Sequence, residues 1–246
     1  MTTFFLIHGG MHGGWCWEEV VPLLEQAGHR VVAPDLPGSG SDRTPLAEVT
    51  LKLYADHVSA MIAREAEPVL LVGHSMGGVT ISEVAERIPD RLRGLVYVSA
   101  RLIPDGQSMA DVRANDVSTR PGLSLSADGV STTYDPVRAA EVFYNRTSPE
   151  TLKRVMPRLT PQAILPTRTR LALTEERFGR VPRAYVECLQ DRSNPLAMQR
   201  EMQAVLPCDP VVIMDSDHSP FYSAPDALAE NLIAIAAAFS RRAETV

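Results

Sequence analysis

The feature that most constrains this 246-residue chain is Gly73-His74-Ser75-Met76-Gly77, set between an apolar run at 69–72 and a helical pattern reaching about residue 88. A G-x-S-x-G sequence in that context reads as a strand that turns sharply into a helix, with the serine exposed at the turn. The serine then takes a strained, positive-φ backbone, so its neighbours must be small enough to let chain segments pass closely. The helix that follows aims its first N–H groups at the serine, where a developing negative charge would be stabilised. A glycine-rich turn without chemistry is the plain alternative, and the flanking strand and helix argue against it.

The rest of the chain fits a parallel α/β frame. β-rich runs at 4–8, 30–33, 69–72, 94–99, 184–188 and 211–214 alternate with helical patterns at 15–27, 51–66, from about 76 to 88 and at 225–239. This alternation is the mark of a mostly parallel central sheet flanked by helices. Gly28 stops the first helix, as glycine does just past a helix end. The rhythm breaks at 101–183, which is rich in Pro, Ser, Thr and Arg and shows helical patches at 136–144 and 149–156 but no convincing buried strand. We therefore expect a core of residues 1–100 and 184–246, with 101–183 inserted as a cap over the sheet.

Composition narrows the partners. An apolar content of 45% supports a sizeable core, and a net charge of −6 spread along the chain excludes the clustered cations that nucleic acid requires. No apolar run is long enough for a membrane span. Cys16, Cys188 and Cys208 show no metal-ligand spacing, and their odd number argues against a disulfide scaffold. The opening residues run straight into a strand without a basic segment or cleavage site, so no signal peptide is expected and the cytoplasm is the default compartment.

A serine needs a positioned base to become nucleophilic. A serine at such a turn is followed in chain order by a carboxylate and then a histidine. His218 follows the strand at 211–214 in the loop Asp215-Ser216-Asp217-His218-Ser219-Pro220, which suits the base. His8 and His12 are rivals beside another strand end. Asp191, after the strand at 184–188, suits the acid that fixes the imidazole tautomer. Asp105, Asp209, Asp215 and Asp217 are alternatives, although Asp217 is too close in sequence to reach its neighbour's Nδ1 easily. An oxyanion site needs two backbone donors. One is expected from Met76. The other is expected from His8-Gly9-Gly10-Met11-His12-Gly13-Gly14, with Gly10 favoured and Gly9 or Met11 in reserve. A phosphate cradle is the rival reading of this loop, but neither the P-loop lysine nor G-x-G-x-x-G spacing is present.

Residues 8–17 (His8 through Trp17), then Pro22-Leu23-Leu24-Glu25, Ala27-Gly28-His29, Ala33-Pro34-Asp35-Leu36 and Leu71 through Gly78, carry a specific resemblance. It returns at Thr174-Glu175-Glu176-Arg177-Phe178-Gly179, at 187–191 and at Asp217-His218, and is weakest over 103–145. The chain resembles the α/β-hydrolase family of plant methylesterases and hydroxynitrile lyases, which includes salicylate-binding methylesterase and polyneuridine aldehyde esterase, and looks like a bacterial relative. The resemblance implies an α/β-hydrolase fold with a helical cap, no metal or other cofactor, often a homodimer, and the acid at Asp191. Lyases of the family carry Thr and Lys where this chain has Gly9 and Ser219, which favours the esterase branch. The implied activity is hydrolysis of small or aromatic carboxylic esters through an acyl-enzyme. Carbamate, amide or lactone hydrolysis, a cofactor-free lyase step and a non-catalytic binding protein are the alternatives. Phe143, Tyr144, Met156 and Leu159 are expected either to wall the pocket or to pack the cap onto the core.

Overall fold

A computed structural model describes residues 1–112 and 121–243. Six strands form one parallel sheet: β1 (Thr3–Ile7), β2 (Arg30–Val32), β3 (Val69–His74), β4 (Leu92–Val98), β8 (Arg183–Cys188) and β9 (Val211–Met214), in the order β2-β1-β3-β4-β8-β9. Such a sheet needs helices on both faces, and successive residues of its strands accordingly feed different cores. Phe5, Ile7, Leu71 and Tyr97 pack with α2 (Leu51–Ile62) and α3 (Gly77–Arg87). Phe4, Leu6, Val72 and Val98 pack with Leu24 of α1 (Val21–Gln26) and with α9 (Pro225–Ala243).

The first expected helix is interrupted. Gly14–Trp17 forms a short 3-10 turn, and α1 begins only at Val21 with Pro22 in its first turn. Proline lacks an N–H and crowds the carbonyl four residues earlier, so a continuous helix cannot run through position 22. Its end is as expected: Gly28 has a φ of 81°, and His29 N–H reaches back to the Leu24 carbonyl at 3.1 Å.

Between β4 and β8 the structure corrects the sequence reading. Three short strands, β5 (Leu123–Leu125), β6 (Ser131–Tyr134) and β7 (Gln162–Ala163), form an antiparallel sheet. Strands of two to four residues, several of them Ser or Thr, carry too little alternation to show in the sequence. The expected helical patches are present as α4 (Pro136–Phe143) and α5 (Pro149–Val155), followed by the single turn α6 (Leu165–Arg168). The remaining α-helices among the described residues are α7 (Leu196–Val205), which joins β8 to β9, and the short α8 (Pro220–Ser223). Residues 113–120 of the expected insertion lie outside the described residues. No helix among the described residues is long and apolar enough to cross a membrane.

The strand order positions the site. From β1 the chain steps outward to β2, then returns across the sheet to β3 and continues to β4, so the winding reverses between β1 and β3. Crevices at the carboxyl ends of strands at such a reversal are where ligands bind in open α/β sheets. Ile7 of β1 lies opposite Gly73 of β3, which sets the glycine-rich loop after β1 beside the turn that carries Ser75.

Candidate active site

Ser75 sits between β3 and α3 with a φ of 51°, in the left-handed region that a serine occupies only when its surroundings enforce it. Three backbone bonds do so. Its N–H donates to the Val98 carbonyl at 3.3 Å, and its carbonyl accepts from Gly78 at 3.1 Å and Arg101 at 2.8 Å. The glycines around it answer to space: a Cβ on Gly77 would fall 2.7 Å from the Ile7 carbonyl oxygen. The N–H of Met76, at the start of α3, has no partner among the described residues.

The structure brings Ser75, His218 and Asp191 into one hydrogen-bonded chain. Nε2 of His218 is 3.0 Å from Oγ of Ser75, and its Nδ1 is 2.7 Å from Oδ2 of Asp191. Asp191 also accepts from the Ser99 hydroxyl and from the backbone N–H groups of Ser193 at 2.6 Å and Asn194 at 2.7 Å. With the carboxylate so held, Nδ1 of His218 carries the proton and Nε2 is left to accept from Ser75. The imidazole is buried, with Phe143 stacked on it at 5.5 Å between ring centres. His74 steadies the same residue from below, donating Nε2–H to the His218 carbonyl at 2.7 Å. Burial pushes the His74 pKa well below its ordinary value, so it stays neutral and puts no cation beside His218.

The rival histidines do other work. Nδ1 of His8 donates to the Gly9 carbonyl at 2.8 Å, and its Nε2 accepts from the Leu36 N–H at 3.0 Å. Nδ1 of His12 donates to the Gly10 carbonyl at 2.8 Å, and its Nε2 accepts from the Tyr144 hydroxyl at 2.7 Å. Burial lowers both pKa values, that of His12 to about 3. Both rings are therefore neutral donors to loop carbonyls. Gly10 keeps an N–H without a partner among the described residues, whereas the Met11 N–H is taken by Oε1 of Gln162 at 3.2 Å. Position 9 has no room for a side chain, since a Cβ there would fall 2.8 Å from both Cβ of Ser75 and Nδ1 of His74.

The other carboxylates considered as the acid are engaged elsewhere. Asp105 accepts from the Leu173 N–H, Asp209 pairs with Arg242, and Asp215 pairs with Arg146. Asp217 is buried and accepts from the Arg146 N–H at 2.8 Å, the Ser219 N–H at 3.0 Å and the hydroxyls of Thr147 and Ser223. It ties the loop after α4 to the loop that carries His218. Sequence reasoning missed Ser99, Asn194 and Gln162 altogether. Ser99 shows in the sequence only as the last residue of the β-rich run at 94–99.

A cavity of about 460 Å³ opens over Ser75, Gly10 and Met76. Phe143 lines it, as do Leu123, Thr132 and Tyr134 of the small antiparallel sheet. Tyr144 is instead buried against His12, while Met156 and Leu159 line a separate cavity of about 140 Å³ that shares Met11 and Tyr134 with the first.

Comparison with known proteins agrees with this architecture. The chain is 34% identical over 245 residues to the pyrethroid hydrolase of Sphingobium wenxiniae, covering 94% of this chain and 86% of the relative. It is 31% identical over 252 residues to salicylic acid-binding protein 2 of Nicotiana tabacum, covering 95% and 96%. The solved structure of polyneuridine aldehyde esterase superimposes with a TM-score of 0.86 at 28% identity, covering 96% of this chain and 99% of that one. The chain spans 55% of the length of one chloroplastic relative from Arabidopsis thaliana. Residues 4–231 match the family described as the alpha/beta hydrolase family, and the chain belongs to it.

Proposed function

We propose that this chain is a carboxylic ester hydrolase that transfers an acyl group through Ser75, with small or aromatic esters as substrates. The observation that carries the reading is the continuous chain from Ser75 Oγ through His218 to Asp191. In the reaction, Nε2 of His218 takes the Ser75 proton as Oγ attacks the ester carbonyl carbon. The N–H groups of Gly10 and Met76 receive the oxygen as it becomes negative, each such donor contributing about 3–4 kcal/mol. His218 then gives the proton to the departing alcohol, leaving the acyl group on Ser75. Water, deprotonated by the same nitrogen, attacks that acyl-enzyme and releases the acid. Asp191 holds the tautomer and offsets the charge of the imidazolium while it exists.

Both the volume and the lining support the substrate class. About 460 Å³ suits a small organic ester, and Met11, Phe143 and Ile164 offer an apolar wall to its acyl group. Residues 101–183 serve in this reading as the cap that shapes the pocket. The crowding at position 9 speaks against a lyase-type threonine there, and Ser219, fully buried, stands where lyases place lysine. Three unpaired cysteines fit the cytoplasm.

Ser75→Ala tests the reading directly: it should abolish turnover of p-nitrophenyl acetate and labelling by a fluorophosphonate. Wild-type turnover in that variant would sink it. A binding protein on the same scaffold would leave Ser75 unlabelled in the wild-type chain.

A further inference from the structure

Over Gly9–Met11 the loop after β1 is held by the side chains of His8, His12 and Gln162 and by the backbone N–H of Thr160. Its three consecutive peptide planes are each pinned. The Gly9 carbonyl is taken by His8 at 2.8 Å, the Gly10 carbonyl by His12 at 2.8 Å, and the Met11 carbonyl by the Thr160 N–H at 2.9 Å. The Gly10–Met11 plane is pinned at both edges, because the Met11 N–H donates to Gln162 at 3.2 Å. Met11 has a φ of 66°, a conformation that a long side chain adopts only under outside constraint. Two of these holds come from residues 160–162, about 150 residues away in sequence.

Gln162 is built into this position. It is 5% exposed, and its Nε2 donates to the Ala163 carbonyl at 3.0 Å and to the Tyr54 hydroxyl at 3.3 Å. The amide therefore cannot swing away from the loop without breaking two buried bonds. It also lies against Gly10, since a Cβ on that glycine would meet Oε1 of Gln162 at 3.3 Å.

We propose that Gln162 is a positioning residue for the oxyanion site. By consuming the Met11 N–H and fixing the adjoining planes, it leaves Gly10 as the loop's donor and holds that donor on the cavity. The proposal rests on the esterase reading above. It links the small antiparallel sheet, where Gln162 pairs with Thr132 of β6, to the reacting carbonyl. Losing the amide leaves the Met11 N–H without its partner and takes one bond from the Tyr54 hydroxyl, which keeps Ser39, and the loop relaxes around a conformation it no longer has reason to keep.

The test compares the full wild-type chain with Gln162→Leu and Gln162→Asn, the latter polar but one methylene too short to reach Met11. Fluorophosphonate labelling carried to its endpoint counts the chains with a competent Ser75–His218 pair. Turnover of p-nitrophenyl acetate is then expressed per labelled site. Removing an oxyanion donor costs about 100- to 1,000-fold in kcat, so displacing one should cost about 10- to 100-fold, with KM within about threefold. Both variants should label to the wild-type endpoint. A merely structural role would lower the labelled fraction and leave kcat per labelled site unchanged, which would overturn the proposal. If the leucine variant does not fold, the asparagine variant decides alone. A wild-type chain that neither labels nor hydrolyses esters overturns the esterase reading and this one with it. Active wild type with unchanged variants overturns only this one.

Discussion

Mild acid should destabilise this protein through histidines that the fold keeps uncharged. His12 is fully buried, and its pKa is held at about 3, whereas a histidine in the unfolded chain titrates near 6.5. Between those values the unfolded chain binds a proton that the folded chain refuses. Stability is therefore intact above about pH 6.5, falls as the pH drops, and levels off below about pH 3 for this group. At about 1.4 kcal/mol per pH unit, His12 alone accounts for roughly 5 kcal/mol across the whole window and about 1 kcal/mol between pH 6 and 5. His8 and His74, also lowered by burial, act in the same direction. Carboxylates of the unfolded chain titrate near 4, so the interval from pH 6 to 5 reads mainly the histidines. Urea unfolding followed by tryptophan fluorescence at pH 6.0, 5.5 and 5.0 gives the slope. His12→Gln removes one titrating group and should flatten that slope by about 1 kcal/mol over the unit, whatever it does to absolute stability. An unchanged slope would mean that His12 is not a neutral donor to Gly10, and the hydrogen-bond directions of the loop would have to be redrawn.

Two substitutions test the site itself. Asp191→Asn keeps the shape but offers Nδ1 of His218 a donor instead of an acceptor, and should lower kcat about 10,000-fold on aryl esters while far-UV circular dichroism stays unchanged. A loss of less than tenfold would remove Asp191 from the reaction. Gly9→Ala drives a methyl into a space that ends 2.8 Å away at Ser75 and His74. It should cost about 1–3 kcal/mol in urea unfolding, and unaltered stability would show that the loop yields more readily than its bonds suggest.

Ser75, His218 and Asp191 could be picked from the sequence because each stands just past a β-rich run, where the carboxyl end of a parallel strand must lie. Met76 was legible for the same reason, since its N–H opens the helix after the turn. The acid could be chosen from the residues only by order and spacing. What singles it out in space is the loop that folds Ser193 and Asn194 back onto its carboxylate. Ser99 and Gln162 were not legible. Their roles depend on contacts with residues 92 and 151 positions away, which no local pattern records. The break before α1 was written in Pro22 but was outweighed by the apolar positions around it. The strands β5 to β7 were hidden because a two- to four-residue strand with hydroxyl side chains has no periodicity to read.

Ser75 and His218 stand at unequal depths in the sheet. Ser75 follows β3, enclosed by β1 and β4, whereas His218 follows β9, the outermost strand, where Val211 is 43% exposed and Ile213 57% exposed. Proteins open in parts before they open as a whole, and a strand paired on one side only, with exposed apolar side chains, belongs to the less stable parts. Warming would thus separate His218 from Ser75 while the central strands still hold. In the esterase reading, turnover should then fail at a lower temperature than the one at which the sheet melts.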